Sequence, residues 1–207
     1  MEKVKKQRRV PSKRRSREES SERLLKAAVE VFSKVGYDAS TTRMVAKKAG
    51  LNESLIHRYF ESKSGLLIAV LNHFISCEKS EVALTPVAAT VNDELNFFFE
   101  YTFEKHWRMR ELMKVVVSRM IVDKKISDEM AKNLFRGGIP YLLPRLEKLQ
   151  NEGKMRKDID LPAIAFSLSA ISFTVSFMAQ VVLRRDRDEL RKQLRETARV
   201  MAESLSS

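Results

Sequence analysis

The sequence predicts an all-α protein, and three observations support this fold class. Only six glycines and five prolines occur among 207 residues, and such a scarcity of chain breakers favours long helices. Apolar residues recur at helical spacing along most of the chain. No segment shows the sustained apolar–polar alternation that is typical of a half-buried strand.

The first 19 residues hold nine basic and three acidic side chains, a large share of the formal net charge of +12. This stretch is almost free of apolar residues and contains Pro11, so we expect a disordered basic arm over residues 1–19. A basic arm is attracted to phosphate groups, whether those of nucleic acid or those of an anionic membrane. Charge alone leaves both partners open.

A helix over about residues 20–35 is predicted next, with Ser20 or Ser21 as its N-cap and Gly36 just beyond its end. Its apolar stripe has the spacing i, i+3, i+4, i+7 and consists of Leu25, Ala28, Val29 and Phe32.

Two short helices are predicted between residues 41 and 60, separated by a turn that contains Gly50. Thr41 is a suitable N-cap for the first of them and Asn52 for the second. Two short helices joined by a tight glycine-containing turn are typical of a helix-turn-helix motif. The second helix of such a pair fits the major groove of DNA.

The run from Arg23 to Phe74 resembles the DNA-binding domain of the TetR family of bacterial transcriptional repressors. The features that match are the pairs Gly36-Tyr37, Ala49-Gly50, Tyr59-Phe60 and Ser62-Lys63 and the threonine-rich start of the second helix. The resemblance implies a helix-turn-helix domain over residues 20–63, followed by a helical domain for ligand binding and dimerisation over residues 64–207.

The resemblance also implies DNA contacts at matching positions. Thr42 and Lys63 match positions that touch phosphates, and Arg43 matches one from which a base edge can be reached. His57 stands where the family usually has a tyrosine, so the chain departs from the family there. The implied DNA-contacting residues are Thr41, Thr42, Arg43, Glu53, Ser54, Leu55, His57, Arg58, Tyr59 and Lys63.

Further helices are predicted over residues 64–75, 92–107, 108–122 and 127–150, the last interrupted at residues 137–140. Residues 161–183 form an uncharged segment long enough to span a bilayer, so a membrane-associated protein anchored there is one alternative. Its serine, threonine and glutamine residues argue instead for a buried helix, which the amphipathic segment 186–205 follows.

These last two helices resemble the pair through which TetR-family proteins dimerise as a four-helix bundle. We therefore expect a homodimer, which would place two recognition helices on a palindromic DNA operator. The dimer interface is predicted to comprise Ala165, Ser169, Ser172, Ser176, Leu190, Leu194, Ala198 and Met201.

By the same resemblance, the second domain holds a pocket for a small effector that releases the repressor from DNA. Its aromatic and methionine residues suggest an apolar or amphipathic effector. The candidate pocket residues are Phe98, Tyr101, Trp107, Met113, Phe173 and Phe177. The alternative is a regulator that binds no ligand and is controlled by a protein partner.

Neither an enzyme nor a metal or cofactor site is expected. The three histidines, His57, His73 and His106, lack metal-ligand spacing, and no glycine-rich phosphate loop occurs. The single cysteine, Cys77, excludes an internal disulfide. No apolar stretch typical of a secretory signal follows the basic N-terminus, so we expect a cytoplasmic protein.

Overall fold

The computed structural model describes residues 13–135 and 141–207, which form α-helices and one π-helical segment. The elements in chain order are α1 (Lys13–Val35), α2 (Thr42–Ala49), α3 (Ser54–Phe60), α4 (Lys63–Ala83), α5 (Val91–Arg108), α6 (Arg110–Val122), α7 (Lys124–Phe135), α8 (Leu142–Asn151), α9 (Leu161–Phe173), the π-helical segment (Thr174–Val182) and α10 (Arg187–Leu205). Within the described residues no strand is formed, so the all-α prediction is confirmed.

Helix α1 begins seven residues earlier than the sequence predicts. Residues 13–19, expected as part of the disordered arm, are helical, and residues 1–12 lie outside the described residues. The Ser20 hydroxyl donates to the carbonyl oxygen of Ser16 at 2.8 Å, a bond made inside a helix rather than at its N-cap. The Lys, Arg and Glu residues of this stretch are good helix formers, which explains the earlier start.

The chain divides into two compact units at residues 71 and 72, inside α4 and eight residues beyond the domain boundary expected from the sequence. In the N-terminal unit, α1 packs against α2. The fully buried side chains of this unit come from all four of its helices and include Leu24, Phe32, Val45, Ile56, Leu66 and Leu67.

The C-terminal unit, Asn72–Ser207, is built around α5, which packs against α9, the π-helical segment and α10. Its core combines aromatic and aliphatic side chains, among them Phe98, Phe99, Phe103, Leu146, Leu168 and Leu194. Residues 136–140, where a helix break was predicted, lie outside the described residues.

A buried ion pair between Glu94 of α5 and Arg145 of α8 lies within this unit, and neither side chain is more than 8% exposed. Arg145 Nη2 donates to Glu94 Oε2 at 2.9 Å and to the carbonyl oxygen of Pro86 at 3.0 Å. Arg145 Nη1 donates to the carbonyl oxygen of Thr85 at 2.7 Å, and Glu94 Oε2 accepts from the amide of Ala88 at 2.9 Å. The pair therefore joins two helices to the loop between α4 and α5.

One stretch among the described residues, Leu161–Val182, is long and apolar enough to cross a membrane, with a mean hydropathy of 1.7. A third of it is buried inside the protein. Its inner face, which includes Leu161, Ala165 and Leu168, belongs to the core, as in a core helix of a globular protein.

Candidate nucleic-acid interface

The turn between α2 and α3 has the geometry that a helix-turn-helix motif requires. The Thr41 hydroxyl accepts from the amide of Met44 at 3.1 Å and caps α2, as predicted. Gly50 ends α2 in the left-handed conformation (φ +64°), which glycine adopts without steric cost. The Asn52 side chain accepts from the amide of Ser54 at 2.9 Å and so bonds to the first turn of α3, although Glu53 directly precedes the helix.

Arg23 of α1 donates hydrogen bonds to this turn, a role that the sequence interpretation missed. Its Nη2 donates to the carbonyl oxygen of Ala49 at 2.6 Å and lies 3.4 Å from that of Gly50. A guanidinium at the C-terminal end of a helix satisfies free carbonyl groups and opposes the negative end of the helix dipole. No local sequence signal reveals this contact, because the two residues are 26 positions apart in the chain.

Helix α3 buries Ile56 and leaves Ser54, His57 and Arg58 exposed. These three side chains, with the exposed Arg43 near the start of α2, are available to an external partner. Between Thr41 and Lys63 the chain carries five basic and two acidic residues, which suits a phosphate-bearing surface. Leu55 is half-buried beside them.

Two of the expected contact residues bond to each other. The Thr42 hydroxyl donates to Glu53 Oε1 at 2.6 Å, so it bridges the start of α2 and the start of α3. Because the hydroxyl proton is used in this bond, Thr42 can reach a phosphate only through its backbone amide or the remaining acceptor capacity of its oxygen.

Lys63 also makes an internal contact that the sequence did not predict. Its Nζ donates to the carbonyl oxygen of Ser40 at 2.6 Å and lies 4.2 Å from the centre of the Tyr37 ring. The ammonium group thus holds the link between α1 and α2 against the start of α4. Any phosphate contact of Lys63 would be shared with these bonds.

Tyr59 has two guanidinium groups near its ring. Arg17 of α1 and Arg58 of α3 lie 5.3 Å and 5.8 Å from the ring centre. Arg17 was not among the expected contact residues, since the sequence placed it in a disordered arm. The helical start of α1 instead brings its charge next to the end of α3.

The junction between α3 and α4 has space only for glycine at position 65. A Cβ atom on Gly65 would lie 1.9 Å from the carbonyl oxygen of Phe60. A glycine in a helix normally lowers stability, so its presence in the first turn of α4 was a signal that the sequence interpretation overlooked.

Gly65→Ala is therefore expected to force α3 and α4 apart and to destabilise the protein by roughly 1–3 kcal/mol, with weaker DNA binding. Gly153→Ala is the comparison variant: no atom lies within 4 Å of the added methyl group, so it loses stability only through its left-handed backbone (φ +74°) and should leave DNA binding unchanged. Urea unfolding and a DNA-binding assay on both variants test this. A Gly65→Ala protein that equals the wild type in both assays would refute the steric argument.

The six candidate pocket residues do not line one cavity. Phe98 and Phe177 are 1% exposed and fill the core, while Tyr101, Trp107, Met113 and Phe173 are half-buried. A groove of about 980 Å³ within the described residues is open to solvent between α5 and α10 and contains only Tyr101 of the six. Its lining is mixed, from Phe97 and Leu194 to Lys192 and Arg195.

Burial within a single chain bears on the predicted dimer interface. Most of its residues are buried there, because Ser172 and Ser176 bond to side chains of α5 and the apolar residues of α10 belong to the core. The buried residues are Ala165, Ser172, Ser176, Leu190, Leu194 and Ala198; Ser169 and Met201 are not fully buried. The exposed apolar side chains lie elsewhere on these helices and comprise Phe166, Met178, Val182, Leu183 and Val200, which we call the outer apolar face.

Comparison with known proteins agrees with the helix-turn-helix geometry. Residues 24–70 match the model of the family described as bacterial regulatory proteins, tetR family. The transcriptional repressor NicS of Pseudomonas putida is 29% identical over 140 residues, which cover 66% of each chain. The alignment thus spans slightly less than two thirds of NicS.

Solved structures share the fold over most of the chain. GusR of Salmonella enterica superposes with a TM-score of 0.73 at 16% identity, over 89% of this chain and 96% of that one. A regulator from Saccharomonospora viridis, solved in complex with choline, superposes with a TM-score of 0.66 at 19% identity, over 92% and 99%. The match across α1–α4 and these relatives support membership of the TetR family of bacterial regulatory proteins.

Proposed function

We propose that the protein is a cytoplasmic, homodimeric transcriptional repressor that binds a palindromic DNA operator and is released by a small effector. The observation that carries this proposal is the capped α2–turn–α3 motif with Arg43, Ser54, His57 and Arg58 on its exposed side. The family consists of DNA-binding regulators rather than enzymes, and its relative NicS is named a repressor.

The outer apolar face supports the homodimer. The stretch 161–183 has no charged residue, yet Phe166 and Val182 are 45% and 47% exposed in the single chain. An uncharged helix with a large exposed apolar face is unfavourable in water unless another surface covers it. A second copy of the chain would cover this face and complete a four-helix bundle with α10 and its partner.

One observation supports an effector: a structural neighbour was solved with choline bound. The second candidate is a regulator without a ligand, which the complete burial of Phe98 and Phe177 favours. A search for small molecules that lower operator affinity distinguishes the two.

A gel-shift assay tests the DNA-binding function. Duplex DNA from upstream of the protein's own gene should bind far more tightly than random duplexes of the same length, by a factor of about 1,000 or more. Equal affinity for both duplexes would contradict the proposal.

Deletion of residues 1–12 should weaken the dependence of DNA affinity on salt without changing the preferred sequence. These residues include five lysines and arginines. Each phosphate contact that is lost makes the negative slope of log K against log salt less steep by about 0.9. The deletion removes no residue of α1 as described, Lys13–Val35. Affinity titrations at several salt concentrations measure the slope, and an unchanged slope would show that the arm does not touch DNA.

A further inference from the structure

A row of buried polar side chains runs between α5 and the stretch formed by α9 and the π-helical segment. We call it the polar seam; it consists of Thr102, His106, Ser172, Ser176 and Gln180, none more than 7% exposed. The hydroxyls of Thr102 and Ser172 lie 2.5 Å apart, and His106 Nδ1 lies 2.6 Å from Ser176 Oγ. Most polar atoms of the seam are therefore paired.

The side-chain oxygen of Gln180 is an exception. Gln180 Nε2 donates to the carbonyl oxygen of Phe103 at 3.2 Å and lies 3.5 Å from that of Ser176. Because both neighbours are acceptors, the amide orientation is fixed by the hydrogen bonds and Oε1 points away from them. Gln180 Oε1 is buried and has no hydrogen-bond partner among the residues that the structure describes. Such an atom favours the approach of a donor.

The ring of His106 is oriented by its bond to Ser176. The Ser176 hydroxyl donates to the carbonyl oxygen of Ser172, so its oxygen accepts a hydrogen bond from His106 Nδ1. Burial, and to a lesser extent the charge of Lys105, lowers the pKa of His106 to about 3, so the ring is neutral at physiological pH. His106 Nε2 then carries no proton.

The walls of the seam are aromatic. Phe173 stacks on Phe177 with ring centres 5.3 Å apart and meets the edge of His106 at 6.0 Å. Phe173 is only half-buried and forms the side of the seam nearest to solvent. Among the charged groups in this region, Arg187 lies 5.4 Å from the Phe103 ring centre and Lys105 precedes His106 in the chain. Glu104 is already bonded to Arg187 and Arg191.

The same stretch of chain holds the π-helical segment Thr174–Val182, which supplies Ser176, Phe177 and Gln180. A π-helix is a less favourable arrangement than an α-helix and is found mostly at functional sites. A change of this segment towards α-helical geometry would shift these side chains relative to α5 and open space in the seam.

We propose that the polar seam binds a neutral, flat aromatic effector that carries one hydrogen-bond donor, the chemistry of a phenol. Its O–H or N–H donates to Gln180 Oε1, and its ring packs against Phe173 and Phe177. An anionic ligand would bring a further acceptor to Gln180 Oε1 and would leave that atom without a donor. This inference rests on the ligand response proposed above.

Calorimetric titration of the full-length protein with phenol tests the site, with anisole as a ligand of similar shape that lacks the donor. Phenol should bind about tenfold more tightly than anisole, the value of one hydrogen bond to a buried acceptor. Gln180→Met should abolish this preference, whereas Gln193→Met, on an exposed glutamine of α10, should keep it. The fluorescence of Trp107, the single tryptophan, offers a second readout.

Three outcomes would each overturn the site. They are equal binding of phenol and anisole, no binding of phenol up to its solubility limit, and a crystal structure with only an ordered water at Gln180. The comparison of the two ligands needs only wild-type protein, so it stands even if the Gln180 variant does not fold. Operator binding is measured on the same preparation. Intact DNA binding without phenol binding refutes the seam alone, while absent DNA binding refutes the proposed function.

Discussion

Replacement of Arg145 with methionine is expected to lower the free energy of unfolding of the C-terminal unit by about 3–5 kcal/mol. The substitution leaves the Glu94 carboxylate buried without its charged partner, and it removes the donors to the carbonyl oxygens of Thr85 and Pro86. Urea unfolding followed by the fluorescence of Trp107, which lies in the same unit, measures the loss.

Two further variants separate the buried charge from packing. Arg199→Met is the matched control, because Arg199 binds Glu196 and Glu203 at the surface and such exposed pairs contribute about 0–1 kcal/mol. The double variant Glu94→Leu/Arg145→Met should be more stable than Arg145→Met alone, since no unpaired charge remains. If Arg145→Met lowered the free energy of unfolding no more than Arg199→Met, the buried pair would not hold α5, α8 and the loop between α4 and α5 together.

The double substitution Phe166→Glu/Val182→Glu on the outer apolar face is expected to produce a folded monomer with at least about 100-fold weaker operator binding. Both side chains are exposed in the single chain, so charges there leave its core unchanged. Each carboxylate would be buried at the interface of a dimer, which is strongly unfavourable. Loss of the dimer leaves each recognition helix with only one half-site.

Analytical ultracentrifugation gives the mass, and a gel-shift assay with the operator gives the affinity. Ile121→Glu is the control, because Ile121 is 80% exposed on α6, outside the outer apolar face. A variant with both glutamates that remained a dimer would place the interface elsewhere.

The helix-turn-helix could be predicted from the sequence because local signals define it. The cap at Thr41, the bond of Asn52 to the first turn of α3 and the left-handed Gly50 each depend on the residues next to them, and all three are present in the structure. The burial of Ile56 and the exposure of His57 follow from helical periodicity alone. The start of α1 differs from the prediction because its charged residues indicate disorder by composition but favour a helix by propensity.

The sequence alone could not show which face of the uncharged stretch 161–183 packs inside its own chain. A stripe of small residues allows a close approach of another helix, but it does not say whether that helix belongs to the same chain. Here Ser172 and Ser176 face α5, where hydrogen bonds to Thr102 and His106 satisfy their hydroxyls. Such pairs, 70 residues apart in the chain, leave no local trace.

Long-range contacts also redefine several of the expected DNA contacts. Lys63 and Thr42 match phosphate-contacting positions of the family, whereas the structure gives each an internal partner, Ser40 and Glu53. The side chains of the exposed basic residues Arg43 and Arg58 make no internal hydrogen bond or ion pair within the described residues, so they are the better candidates for contacts with DNA.

The central claim is that a dimer reads a palindrome with two copies of α3. The most direct test is to let the full-length protein select duplexes from a random-sequence library. The enriched sequences should form an inverted repeat whose half-sites lie one or more helical turns of about 34 Å apart. Substitution of His57 and Ser54 with alanine should change the preferred bases within the half-sites but not their spacing. Enrichment of no sequence, or of a single motif without an inverted repeat, would contradict the claim.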